Sequence, residues 1–126
     1  VSVIGIGVDA IEIDRVARAL SRTPALADRL YTTAEQDHCV ARTGRRRAAC
    51  FAARFAAKEA VAKALGTGVV GFTFCDVEIV NGDDGAPAVV LGDAARAVAD
   101  HLGVARIHVS LSLTGTVAVA TAVAES

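Results

Sequence analysis

Phe51-Ala-Ala-Arg54-Phe-Ala-Ala-Lys58-Glu59-Ala-Val-Ala-Lys63-Ala-Leu65 is the stretch that decides how this chain folds. Stepped at about 100° per residue, as an α-helix turns, Phe51, Phe55, Val61, Ala62 and Leu65 share one arc. Arg54 and Lys58 fall inside that arc. Ala53, Ala56, Ala57, Ala60 and Ala64 make the far side, which suits close packing. Glu59 and Lys63 flank the arc, one turn apart. With no broad polar face to give to water, the helix is expected to be mostly buried. Buried ionised groups need partners, and two arrangements supply them. One is internal: Glu59 pairs with Lys63 at i,i+4 while Arg54 and Lys58 reach to the edge. The other is a charged cleft that holds a polyanion and its metal. Lys58 and Lys63 are the only lysines; the other eleven basic residues are arginine. A site that needs a compact ammonium cannot substitute the planar guanidinium fork.

Outward from this stretch, the helix is expected to begin near Arg45 and to stop at Gly66. Upstream, Val1–Val8 reads as a buried strand. Asp9 then reads as the N-cap of a helix through Leu20, with Asp9-x-x-Glu12 in capping-box spacing. Pro24 opens a short helical piece ending near Tyr31, and Thr32-x-x-Glu35 signals a helix that ends at Gly44. Downstream, Cys75–Val80 and Ala88–Leu91 read as strands joined by the turn-rich Asn81-Gly-Asp-Asp-Gly-Ala-Pro87. Asp93–Leu102 is helical and Gly103 ends it. Arg106–Leu113 alternates, with Ile107, Val109, Leu111 and Leu113 on one face and His108, Ser110 and Ser112 on the other. Thr114-Gly115 turns the chain into a last strand, Val117–Ala124. The expectation is one α+β domain over residues 1–126, closed by a C-terminal β-hairpin.

Composition narrows the function. A net charge of -1 gives no electrostatic case for a nucleic-acid partner. No apolar run approaches the ~20 residues of a membrane span, and no signal peptide is expected at Val1–Val8. Mean hydropathy is +0.46, high for so short a chain. A buried subunit interface and a simple excess of alanine both account for it. Cys39, Cys50 and Cys75 fit no zinc spacing and read as reduced thiols in a cytoplasm. Arg42, Arg45, Arg46 and Arg47 form a basic run, a pattern that solvated surfaces share. Arg15, Arg18 and Arg22 fall at i, i+3 and i+7 and share one helix face.

At these residues the chain resembles the holo-acyl-carrier-protein synthases. Gly5-Ile-Gly-Val-Asp9-Ala-Ile-Glu-Ile-Asp-Arg15-Val16 is similar to their opening motif. Arg54 to Gly68 is similar to their second signature, and Ile107-His108-Val-Ser-Leu-Ser112 to their C-terminal strand. The Arg29–Glu35 stretch and Gly85-Ala-Pro87 fit as well, so the likeness runs through nearly the whole chain.

The resemblance implies a 4'-phosphopantetheinyl transferase fold, with an antiparallel sheet and a long central helix. It implies transfer of 4'-phosphopantetheine from coenzyme A to a serine of acyl carrier protein, releasing adenosine 3',5'-bisphosphate. Asp9 and Glu59 would hold Mg²⁺, or Mn²⁺ in its place. Hard oxygen ligands, substrate phosphates and waters suit such an ion. Glu59, Lys63 and His108 would be catalytic, with the serine proton going to a water at the metal or Glu59, or to His108. Arg46, Arg54, Lys58, Gly66, Thr67, Gly68, Pro87 and His108 would bind coenzyme A. Arg15, Arg18 and Arg22 would face the acidic carrier protein. The family is typically a cytoplasmic homotrimer with active sites between subunits. Many relatives carry a second histidine five residues after His108, where this chain has Leu113. The resemblance leaves open whether the carrier serves fatty-acid or polyketide synthesis.

Overall fold

A computed structural model describes residues 1–126. In chain order the elements are β1 (Val3–Glu12), α1 (Ile13–Arg22), α2 (Leu26–Leu30), α3 (Thr33–Val40) and α4 (Gly44–Ala64). After these come β2 (Val77–Asn81), β3 (Pro87–Leu91), α5 (Asp93–Leu102), β4 (Arg106–Leu113) and β5 (Val117–Glu125). The strands form an antiparallel sheet in the order β1-β5-β4 and a separate β2-β3 hairpin. The α+β architecture, the long central helix and the C-terminal hairpin are as the sequence led us to expect.

Small side chains explain how α4 lies on the sheet. Strand β5 turns Ala118, Ala120, Ala122 and Ala124 inward, all fully buried, against the alanines of α4. Strand β1 comes closer still. A Cβ on Gly5 would penetrate the backbone carbonyl of Ala64, and one on Gly7 would penetrate that of Ala60 and sit 2.8 Å from the Lys63 Cβ. Only glycine permits that approach. On its other side α4 packs Phe51 edge-on to Tyr31 and stacks Phe55 on Phe74. The Tyr31 hydroxyl donates to the Phe51 carbonyl at 2.9 Å.

Several expectations need correction. First, β1 is not a buried strand: Val3, Ile6 and Val8 are exposed. Second, Asp9 is not an N-cap. β1 runs on to Glu12, Asp9 pairs with Ala120, and α1 starts only at Ile13 with no side-chain cap. The long partner strand β5 offers a full ladder of backbone hydrogen bonds, and that ladder carries the chain past the local capping signal. Third, Phe74–Asp76 is a single 3-10 turn, and the strand there begins at Val77. Fourth, Cys39 and Cys50 form a disulfide, with Cα atoms 5.4 Å apart, so these two are not free thiols. Their pairing comes from the packing of α3 on α4, which no cysteine spacing announces. The Thr32–Glu35 capping box forms as expected, but its helix ends at Val40.

The outer face of the three-stranded sheet has nothing packed on it. Ile6, Val123 and His108 form one cross-strand row, and Val8, Thr121 and Ser110 the next. Ile6 is 69% exposed and Val8 57%, an unusual display of β-branched side chains.

The Gly7 contact yields a stability test. Gly7→Ala should lower unfolding free energy by about 1–3 kcal/mol, the usual cost of overpacking. Gly115→Ala, where nothing lies within reach of a Cβ, should stay within about 0.5 kcal/mol. Urea denaturation checks both, and equal midpoints for the two variants would refute the close approach.

Candidate active site

The chemistry-bearing side chains gather in two clefts that share no lining residue. The first, of about 430 Å³, is walled by α1, α2, Phe55 and Phe74, and carries Asp9, Glu59 and Arg15. Asp9 reaches it because alternation along β1 puts residue 9 on the same face as Gly5 and Gly7. Glu59 comes from α4. Lys63 Nζ donates to Asp9 Oδ1 at 3.2 Å and to the Val8 carbonyl at 2.9 Å. Of the two arrangements open to the helix charges, the internal Glu59–Lys63 pair gives way to a bond from helix to strand. Burial, then the Asp9 charge, pushes the Glu59 carboxyl above its ordinary range, and Lys63 offsets part of this. No third acid, histidine or cysteine joins the two carboxylates.

The second cleft, of about 560 Å³, is lined by His38, Arg42, Arg46, Arg54, Asn81 and Pro87 together with apolar groups that include Leu113. Arg54 is 5% exposed. It donates through Nη2 to Asn81 Oδ1 at 3.2 Å and through Nη1 to Cys50 Sγ at 3.3 Å. Its Nε is buried without a partner, an unmet donor in a basic recess. Burial lowers the Arg54 pKa, opposed by Glu35, and an arginine remains charged even so. Arg47 turns away to cap α3, donating to the Val40 and Arg42 carbonyls at 2.8 and 2.9 Å.

Lys58 stands apart from both clefts and corrects its assignment to coenzyme A. Its side chain is fully buried, and Nζ donates to Glu35 Oε1 at 2.7 Å, to the Phe74 carbonyl at 2.8 Å and to the Val77 carbonyl at 2.6 Å. All three ammonium protons are committed, so none is left for a phosphate. Glu35 in turn accepts from the Ile79 and Thr32 amides, each at 2.9 Å.

His108 lies on the open sheet face, 2.9 Å from Glu125 Oε1 and in neither cleft. It shares a row with Ile6, whereas Asp9 shares one with Ala120 and Leu111 on the opposite face. Within one chain the structure therefore does not bring His108 to Asp9 and Glu59. Gly66 and Gly68 take positive φ just beyond α4, and Thr67 between them is exposed. Arg15 borders the acidic cleft, while Arg18 and Arg22 stand in solvent along α1. His38 and Asn81 were not foreseen. His38 lies three residues after the buried Glu35 on α3, a helical spacing that could have flagged it; Asn81 gave no signal beyond its turn.

The scaffold thus holds a carboxylate pair beside a lysine in one cleft and an arginine recess in another. The family model described as the 4'-phosphopantetheinyl transferase superfamily matches residues 5–122. A holo-[acyl-carrier-protein] synthase of Desulforudis audaxviator is 50% identical over 125 residues, 97% of this chain and 92% of the relative. The crystal structure of the Neisseria meningitidis holo-[acyl-carrier-protein] synthase superposes with a TM-score of 0.90 at 31% identity, covering 99% of this chain and all of that one. The Bacillus anthracis holo-(acyl-carrier-protein) synthase, solved in complex with CoA (3',5'-ADP), gives 0.83 at 34% identity over 98% and 97% of the two chains. The chain belongs to the holo-acyl-carrier-protein synthase family of phosphopantetheinyl transferases.

The carboxylate coupling can be measured directly in metal-free protein. Asp9→Asn removes a negative neighbour and should lower the Glu59 pKa; Lys63→Met removes a positive one and should raise it. Carboxyl chemical shifts followed against pH give the sign. A Glu59 titration unmoved by Asp9→Asn would show that the two groups do not share a site.

Proposed function

We propose that this enzyme transfers 4'-phosphopantetheine from coenzyme A to a serine of acyl carrier protein. The observation that carries this reading is the convergence of Asp9 and Glu59 on one cleft, with Lys63 bonded to Asp9 beside them. In the reaction the serine Oγ forms a bond to the β-phosphorus of coenzyme A. The bond from that phosphorus to the bridging oxygen breaks, and adenosine 3',5'-bisphosphate leaves with the oxygen.

Asp9 and Glu59 fit Mg²⁺, with Mn²⁺ as an alternative, because two carboxylates with no third ligand leave positions for diphosphate oxygens and water. When bound, the ion supplies neutralisation of charge on the diphosphate. Glu59 would also order a water that accepts the serine proton, with His108 as the other candidate. Lys63, half exposed and steered by Asp9 and the Val8 carbonyl, offers its ammonium to the leaving phosphate. Arg46 and Arg54, with Pro87 as a wall, would hold the nucleotide phosphates, and the Gly66-Thr67-Gly68 turn would follow the diphosphate. Arg15, Arg18 and Arg22 form a basic rim beside the acidic cleft for the carrier, acting mainly on encounter rate.

The two clefts act together when a neighbouring copy supplies the second one. The uncovered Ile6–Val8 face supports such an assembly, which we take to be a homotrimer working in the cytoplasm. No helix is long and apolar enough to cross a membrane. At a subunit boundary His108 would also come within range of a neighbour's site.

Apo carrier protein incubated with coenzyme A and Mg²⁺ should gain the mass of one phosphopantetheine group. Asp9→Ala and Glu59→Ala should each slow this on the order of 100-fold or more while remaining folded, as should a chelator on wild type. Folded variants with wild-type rates would refute the metal assignment.

Sharing of the site between subunits has its own test. Asp9→Ala and Arg46→Glu proteins, each weak alone, should regain activity when unfolded and refolded together. Random heterologous pairing restores about a quarter of the sites. A mixture no more active than its two components would rule out sharing.

A further inference from the structure

The chain between Cys39 and Cys50 carries the whole basic run. Cys39 sits in the last turn of α3 and Cys50 two turns into α4, and their disulfide spans a separation of 11 residues. Arg42, Arg45, Arg46 and Arg47 all lie inside that span. Arg42 and Arg46 line the basic cleft, and so does Cys50. The Cys50 sulfur is also a direct partner of Arg54, the third arginine of the cleft, at 3.3 Å. One covalent bond thus ties both ends of the corner that presents two of the cations, and touches the group that places the other. Elsewhere the corner is held by hydrogen bonds from Arg42 to the His38 carbonyl and from Arg47 to the Val40 and Arg42 carbonyls. Those from Arg47 are exposed, and water competes with them.

We propose that Cys39 and Cys50 are positioning residues for these arginines, so that their oxidation state sets the affinity of the cleft for a nucleotide bisphosphate. This rests on the reading of the basic cleft as the nucleotide-phosphate site. With the bond closed, the corner is ordered before the anion arrives. With it open, binding has to order Arg42 and Arg46, and affinity falls by that cost. Opening is a two-electron thiol–disulfide exchange with a dithiol reductant. One thiolate of the reductant attacks Cys50 Sγ, which borders the cleft, and Cys39 leaves as a thiolate that takes up a proton. The second thiol of the reductant then displaces Cys50, leaving two protein thiols and one disulfide in the reductant. Closing is the reverse, with a small-molecule disulfide as oxidant. In a reducing compartment such a pair reports redox state rather than serving only as a staple.

The test uses full-length protein, with adenosine 3',5'-bisphosphate as the calorimetric probe and intact mass after alkylation as the check on oxidation state. Reduction should weaken probe binding about 3- to 10-fold, and re-oxidation should restore it. Cys39→Ala should bind like the reduced form and ignore the oxidant. Cys75→Ala, whose thiol is free and lies by the Asp28 and Arg29 carbonyls, should still switch. In steady state, reduction should raise KM for coenzyme A and leave kcat and KM for the carrier unchanged, a split that general loss of stability would not produce. Alkylation of both Cys39 and Cys50 after oxidant treatment overturns the proposal, as does equal probe affinity in the two states of an enzyme that still transfers. If the probe binds in neither state and Arg46→Glu transfers normally, the nucleotide reading of the cleft fails and takes this proposal with it.

Discussion

Everything at the acidic cleft depends on how closely β1 can lie on α4. Gly5 and Gly7 let two backbones meet where any side chain would collide with the carbonyls of Ala64 and Ala60. The alanines of β5 continue the same thin layer across the sheet. Because side chains alternate along a strand, the next residue on that face after Gly7 is Asp9. The close approach therefore delivers a carboxylate to the level of α4 at which Glu59 and Lys63 emerge. A wider spacing would keep the fold's outline and separate the two carboxylates.

The four charges of α4 meet four different ends, and packing decides which. Arg54 becomes a wall of the basic cleft and Glu59 a member of the acidic one. Lys63 crosses to β1. Lys58 goes into the core, where Glu35 and two carbonyls surround its ammonium. Burying such an ion is costly, and burial lowers the Lys58 pKa against the pull of Glu35. Removing one partner of a buried pair typically costs about 3–5 kcal/mol, so Glu35 and Lys58 fix α3 and the β2–β3 hairpin against α4. The lysine that resembles a phosphate ligand in the sequence is a brace in the structure.

The site is divided. One helix carries Arg54 and Glu59 five residues apart, yet they open into clefts with no lining residue in common. The same molecule leaves β-branched residues of β1 bare on the outer sheet face. These two features are what the proposed self-association rests on.

The sequence by itself determined the element types and their order, from the period of apolar residues, the capping box at Thr32 and the turn chemistry at Asn81–Pro87. It also determined the family, because the Arg54–Gly68 signature is long and its residue types are few. Those are local properties, set by neighbours within a turn or two. The tertiary structure alone decided that Asp9 sits in a strand, that Lys58 is a core residue, that Cys39 meets Cys50, and that His108 faces away from the carboxylates. Each of these depends on a partner far along the chain. The ladder with β5 overrode the cap that Asp9 could have formed. Glu35, 23 residues from Lys58, took up an ammonium that helix spacing alone would have sent to the edge. Hydrogen bonds and burial act through space, so where a side chain has two plausible partners, the fold and not the local sequence chooses between them.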